Sequence, residues 1–146
     1  MRTLQAHLIL PPDTNHHGTI FGGKVLAYID EIAAITSMKH AGGNTVTVSI
    51  DSVDFLSSAH VGDILELESM VVYTGKTSIT VFVRVTAFHV ETGESTLTTE
   101  SFVTMVAVDE NGKPRPVSQV VIETEEQRRL FEQVKLNRAL KYMKNK

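Results

Sequence analysis

A helix that is apolar nearly all the way round has to be wrapped by the rest of its chain, and residues 24–41 read as such a helix. Val25, Tyr28, Ile29, Ile32 and Ile35 recur at three- and four-residue spacing, and Ala27, Ala33 and Ala34 fill much of the remaining surface. A helix of this kind is buried rather than amphipathic. Asp30 and Glu31 nevertheless sit inside it. A carboxylate there is costly unless it is paired or used. Asp30 shares its helical face with Gly23, Leu26, Ala27, Ala34 and Ser37, mostly small side chains that leave room for a ligand.

The stretch ahead of the helix is polar, Asp13-Thr14-Asn15-His16-His17-Gly18, and is followed by Ile20-Phe21-Gly22-Gly23. The glycine pair falls at the expected helix start, about 10 Å along the axis from Asp30 at 1.5 Å per residue. Glycine lets a ligand approach the backbone, and the free N–H groups of a helix N-terminus favour an oxygen carrying negative charge. An oxyanion donor and a carboxylate on one helix suit acyl transfer.

Composition narrows the class. The 146 residues suit one domain, with 42% hydrophobic and 21% charged residues. Cysteine is absent, which excludes disulfides, thiolate metal sites and a cysteine nucleophile and is compatible with a reducing cytoplasm. No apolar run reaches membrane-spanning length, the first ten residues lack a signal-peptide pattern, and the net charge of −3 argues against generic nucleic-acid binding. The charge is uneven: residues 1–122 carry −6 and residues 123–146 carry +3. We therefore expect a body over 1–122 and a helical extension over 123–146.

Downstream, the alternation of Val46, Val48 and Ile50 marks a strand, and the parity shift to Val53 and Phe55 predicts a β-bulge near Asp51-Ser52. Strands follow over 64–73, 78–90 and 95–108, joined by turns at 74–77 and 91–94, after a short first strand over 3–10. Ile79, Val81, Val83, Val85 and Ala87 line one face of the clearest strand. Thr124 and Gln127 fit a capping box for a last helix over 125–144, whose Leu130, Phe131, Val134 and Leu140 form an apolar stripe. No candidate catalytic residue lies in that helix. One long helix followed by antiparallel strands is an α+β layout.

The pattern N-x-x-G-x-x-F-G-G, with D seven residues later, reads here as Asn15, Gly18, Phe21, Gly22, Gly23 and Asp30. It resembles the hotdog-fold acyl-CoA thioesterases (acyl-CoA hydrolases). The resemblance continues through Val46-Thr47-Val48, Val53-Asp54-Phe55, Val61-Gly62-Asp63, Gly75-Lys76-Thr77-Ser78 and the run 102–109, covering roughly residues 3–116 in one order. It implies an antiparallel sheet wrapped round the long helix, with the C-terminal helix added. It also implies hydrolysis of acyl-CoA thioesters with no metal or redox cofactor, coenzyme A being part of the substrate.

By resemblance Asp30 is the general base or the nucleophile, between which the sequence does not choose. Asn15 orients water or the thioester carbonyl, and the Gly22-Gly23 backbone, Gly23 foremost, supplies the oxyanion donor. Val53, Asp54 and Phe55 border the pantetheine path. Gly75, Lys76, Thr77 and Ser78 lie near the nucleotide end of coenzyme A. Each has a plainer alternative: an acid reaching solvent at a helix edge, a turn asparagine, a tight glycine turn, an ordinary hairpin. Gly75-Lys76-Thr77 is not a P-loop, because the earlier glycine would fall on Met70. His16 and His17 are adjacent on a short loop, which is poor geometry for one metal ion.

The resemblance further implies a homodimer with one continuous sheet, often assembled into a hexamer as a trimer of dimers, with Asn15 of one subunit facing Asp30 of the other. Two other functions stand beside hydrolysis. A hotdog enoyl-CoA hydratase would want an Asp/His pair, and no histidine is placed with Asp30 in a matching motif. A non-catalytic acyl-CoA-binding or regulatory module would bind thioesters without turnover.

Overall fold

The computed structural model describes residues 2–144. Its elements are β1 (Arg2–Leu8), a 3-10 turn (Pro11–Asp13), α1 (Gly22–Ala41), β2 (Thr45–Ile50), β3 (Ile64–Thr74), β4 (Ser78–His89), β5 (Glu94–Ala107) and α2 (Glu125–Lys144). The strands form one sheet in the order β1-β3-β4-β5-β2, antiparallel throughout. This is the α+β, hotdog-type layout that the resemblance implies.

Alternation in the strands gives the sheet two working faces. On one face Leu65, Leu67, Ile79, Val81, Val83, Val85, Ala87, Val103 and Met105 pack against Val25, Ile29, Ile32 and Ala33 of α1 as a single buried cluster. Hydroxyls fix the helix at its C-terminal half. Thr36 Oγ1 donates to Thr3 Oγ1 at 2.8 Å and also pairs with Ser69 Oγ. Ser37 Oγ pairs with Thr45 Oγ1 at 2.8 Å. Gly42 ends the helix in the left-handed conformation, φ +70°, with its N–H bonded to Met38 O.

The opposite face carries α2. Met70, Val72 and Phe82 form a second cluster with Val134, flanked by Tyr73, Phe102 and Leu130, and Phe131 lies tilted on Tyr73 at 5.1 Å. Thr124 and Gln127 cap α2. The Gln127 N–H bonds to Thr124 Oγ1 at 3.1 Å, and the reciprocal bond from Gln127 Oε1 reaches the N–H of Glu123 rather than of Thr124. Arg84 ties the helix to the sheet by meeting Glu100 at 2.8 Å, Glu126 at 3.2 Å and Glu68 at 3.8 Å. Burial works to lower the Arg84 pKa, but the hydrogen bonds and charges of Glu100 and Glu126 outweigh it and hold the guanidinium above its ordinary value.

Three expectations need correction. First, α1 is not covered all round. Gly23, Leu26, Ala27 and Glu31 are exposed, and Leu26 keeps 37% of its surface. A five-stranded sheet curls over one side of a helix and leaves the other bare. Second, the irregularity in β2 is at Val48, where the register slips between Thr47 and Ser49, and not at Asp51-Ser52. The strand ends at Ile50, so the parity change reflects a chain leaving the ladder. Residues 51–57 then run beside β5 on scattered bonds, Asp51 N–H to Phe102 O at 2.9 Å and Leu56 N–H to Thr98 O at 2.8 Å. Third, Leu140 is 54% exposed in the single chain and is not among the apolar residues that pack α2 on the sheet, which are Leu130, Phe131 and Val134. No helix among the described residues is long and apolar enough to cross a membrane.

Candidate active site

The loop before α1 is shaped by Asn15. Its Oδ1 accepts from the N–H of His17 at 2.9 Å and of Thr19 at 3.3 Å, and its Nδ2 meets Thr19 Oγ1 at 2.9 Å. Gly18 turns the chain at φ +77°. The loop is anchored by Ile20 N–H to Ala59 O and by Phe21 N–H to Asp13 O. Asn15 therefore does what turn asparagines do, and no hydrogen bond joins it to Asp30 within one chain.

The loop delivers the glycine pair into the first turn of α1, at the expected helix start, with Phe21 at the N-cap. Lys24 and Val25 both donate to Phe21 O. Among the described residues the N–H groups of Gly22 and Gly23 have no acceptor, as the first turn of a helix requires. A Cβ on Gly23 would meet nothing within 4 Å, and the residue is exposed. A Cβ on Gly22 would come 3.3 Å from the Phe55 ring. The glycine there lets the 51–57 segment close against the helix N-terminus.

Asp30 lies seven residues on, half-buried on the same face as Gly23, Leu26 and Ala27. Its Oδ1 accepts a 2.7 Å bond from Thr47 Oγ1 on β2. A short bond to a carboxylate is charge-assisted and fixes the carboxylate's orientation. The alternation of β2 does not single out Thr47 as a site residue; the packing of the edge strand on α1 brings it to Asp30. Glu31 points away, exposed.

The remaining expected residues fall in two places. Val53 is half-buried against the core, Asp54 is exposed, and Phe55 borders the glycine turn. Gly75, Lys76, Thr77 and Ser78 form the β3–β4 turn, closed by Gly75 N–H to Ser78 O at 2.9 Å and bound to the chain after β5 through Val117 N–H to Lys76 O. Lys76 is exposed and makes no ion pair among the described residues. No hydrogen bond or ion pair links this turn to Asp30. His16 and His17 lie tilted against each other with ring centroids 3.9 Å apart, both exposed, and no cluster of three metal-ligating side chains occurs among the described residues.

Known proteins resemble this chain in sequence and in fold. The family model of the thioesterase superfamily matches residues 17–94. YkhA of Bacillus subtilis, named an uncharacterized acyl-CoA thioester hydrolase, is 48% identical over 126 residues, 86% of this chain and 73% of that protein. Among solved structures, an apo-hexameric acyl-CoA thioesterase superposes with a TM-score of 0.94 at 63% identity, covering 99% of this chain and 92% of that one. An acyl-CoA hydrolase from Staphylococcus aureus, solved with butyryl coenzyme A, coenzyme A and coenzyme A disulfide, superposes at 0.87 with 40% identity, covering 99% and 90%. That hydrolase has also been solved as single Asp-to-Ala, Asn-to-Ala and Thr-to-Ala variants. With the fold, the glycine turn and the helix carboxylate in place, the chain belongs to the hotdog-fold acyl-CoA thioesterases, enzymes that hydrolyse acyl-CoA thioesters.

Proposed function

We propose that this chain hydrolyses acyl-CoA thioesters at a site shared by two copies, with Asp30 and the Gly23 N–H from one and Asn15 from the other. The observation that carries the reading is the face of α1. The half-buried carboxylate fixed by Thr47 and the open Gly23 N–H lie along one strip of α1 whose Gly23, Leu26 and Ala27 are exposed. The three residues substituted in the Staphylococcus aureus hydrolase, an Asn, an Asp and a Thr, are 15 and 17 residues apart in sequence, the spacing of Asn15, Asp30 and Thr47 here.

In the general-base form, Asp30 takes a proton from water as the water oxygen attacks the thioester carbonyl. Negative charge gathers on the carbonyl oxygen, where the Gly23 N–H meets it. The C–S bond then breaks and the proton passes to the departing thiolate, giving a carboxylic acid and coenzyme A. In the nucleophilic form Asp30 makes a mixed anhydride that water hydrolyses to the same products. Neither form uses a metal or redox cofactor.

The uncovered strip of α1 and the exposed Val46 and Val48 of edge strand β2 suit a second copy that continues the sheet, since open strand edges are usually paired. The hexameric state of the 63% identical thioesterase supports further assembly into a trimer of dimers.

The test is steady-state thiol release over acyl-CoAs of graded length and branching, for the wild type and Asp30→Asn. The substitution should lower kcat by about 10²–10⁴-fold while coenzyme A still binds. Near-wild-type turnover by folded Asp30→Asn would remove Asp30 from the reaction. Binding without turnover by the wild type would make the chain an acyl-CoA-binding module.

A further inference from the structure

Helix α2 contributes nothing to the chemistry above, and its C-terminal half meets the sheet through Arg138 rather than through its apolar stripe. Beneath it lies a cavity of about 390 Å³ whose lining includes Thr80, Phe102, Thr104, Asn137, Arg138 and Lys141, with Asp51 as its one acid. The size and the mixture of aromatic, hydroxyl, amide and cationic groups suit a small polar ligand.

Arg138 stands where this cavity meets the β3–β4 turn. Its guanidinium lies over the Tyr73 ring at 5.1 Å. Its Nη2 is 3.8 Å from where a Cβ on Gly75 would stand, which puts the guanidinium beside the turn; the atom that such a Cβ would crowd is Ser78 Oγ, at 2.6 Å. No carboxylate among the described residues pairs with Arg138, with Lys141 or with Lys76, the residue after Gly75. The N–H groups of Lys76 and Thr77 likewise have no acceptor there. The contrast with Arg84 is informative: that guanidinium is met by three carboxylates, whereas Arg138 lies over a ring and pairs with no carboxylate among the described residues. Stacking on Tyr73 limits the freedom Arg138 would lose on gripping an anion.

We propose that α2 completes the subsite for the nucleotide end of coenzyme A. Arg138 binds a phosphate group together with the 75–78 turn, and Lys141 adds charge from the cavity behind it. This rests on the reading that the turn faces those phosphates. The C-terminal helix is then dispensable for bond cleavage and required for recognising the carrier.

The experiment compares Arg138→Gln, Arg138→Lys and Lys76→Ala on an acyl-CoA and on the matching acyl-pantetheine, which lacks the nucleotide. Adenosine 3′,5′-bisphosphate serves as an inhibitor that probes the nucleotide end alone. Arg138→Gln should raise KM for the acyl-CoA and weaken inhibition by the bisphosphate, each about tenfold. It should leave kcat and the acyl-pantetheine KM unchanged, and Arg138→Lys should recover part of the loss. Arg138 is exposed, so melting temperature and assembly should match wild type.

If Lys76→Ala separates the two substrates and Arg138→Gln does not, Arg138 only packs on Tyr73: the inference fails and the turn keeps its role. If neither variant separates them, the turn reading fails and this inference falls with it. If Arg138→Gln alone separates them, the subsite stays on α2 and Lys76 is removed from it.

Discussion

Replacing Thr47 with valine keeps shape and removes one atom's chemistry, the hydroxyl that donates to Asp30 Oδ1 at 2.7 Å. A hydrogen bond to a charged group contributes about 1.5–3 kcal/mol. Fully expressed in the transition state, that range is roughly 10- to 150-fold in rate at 1.36 kcal/mol per decade. Asp30 is only half-buried, so water takes over part of the lost bond and the lower end applies. We therefore expect Thr47→Val to lower kcat by about 10- to 30-fold with KM little changed, and Thr47→Ser, which keeps the hydroxyl, to stay within about threefold. Thiol release on one acyl-CoA measures both, and thermal unfolding checks that stability moves by less than ~1 kcal/mol. Thr47→Val within twofold of wild type would show that the bond does not orient Asp30. A loss in Thr47→Ser with Thr47→Val close to wild type would assign the effect to methyl packing on α1 and not to the hydroxyl.

The composite site is tested by mixing. Asn15→Ala and Asp30→Ala homodimers should each be nearly inactive, and after joint refolding or co-expression activity should return to about a quarter of wild type, because half the dimers are mixed and each has one intact site of two. Failure to recover, with mixed dimers confirmed by mass, would put both residues in one subunit's site. Truncation after Ile122 uncovers Met70, Val72 and Phe82 and should lower the melting temperature by roughly 10 °C or change assembly. The truncated chain should keep its kcat on a thioester without the nucleotide. Loss of that turnover in a truncated chain with unchanged fold and assembly would place α2 in the chemistry.

What the sequence disclosed depended on how local the physics was. The strand carrying Ile79, Val81, Val83, Val85 and Ala87 could be read outright, since alternation is a property of consecutive residues and all five are fully buried. The Gly22-Gly23 turn and Asp30 were legible because one helix relates them by fixed geometry. Thr47 reaches Asp30 only through the docking of β2 on α1, and Arg138 reaches Gly75 only through the docking of α2 on the outer face. Neither contact leaves a trace in local periodicity. The bulge was misplaced for a related reason: a parity shift records that the chain changes sides, but it does not distinguish a slipped ladder from a strand that stops. Leu140 has the spacing of its stripe but stays exposed in the single chain.

The bare strip of α1 also has a kinetic consequence. A protomer holding Asp30 without a facing Asn15 is a catalyst in halves, so under the composite model the rate is not proportional to chain concentration at high dilution. Well below the dimer dissociation constant it rises as the square of that concentration, and above it becomes linear. Specific activity then reports self-association, and ligands that stabilise the pair restore activity in dilute solution.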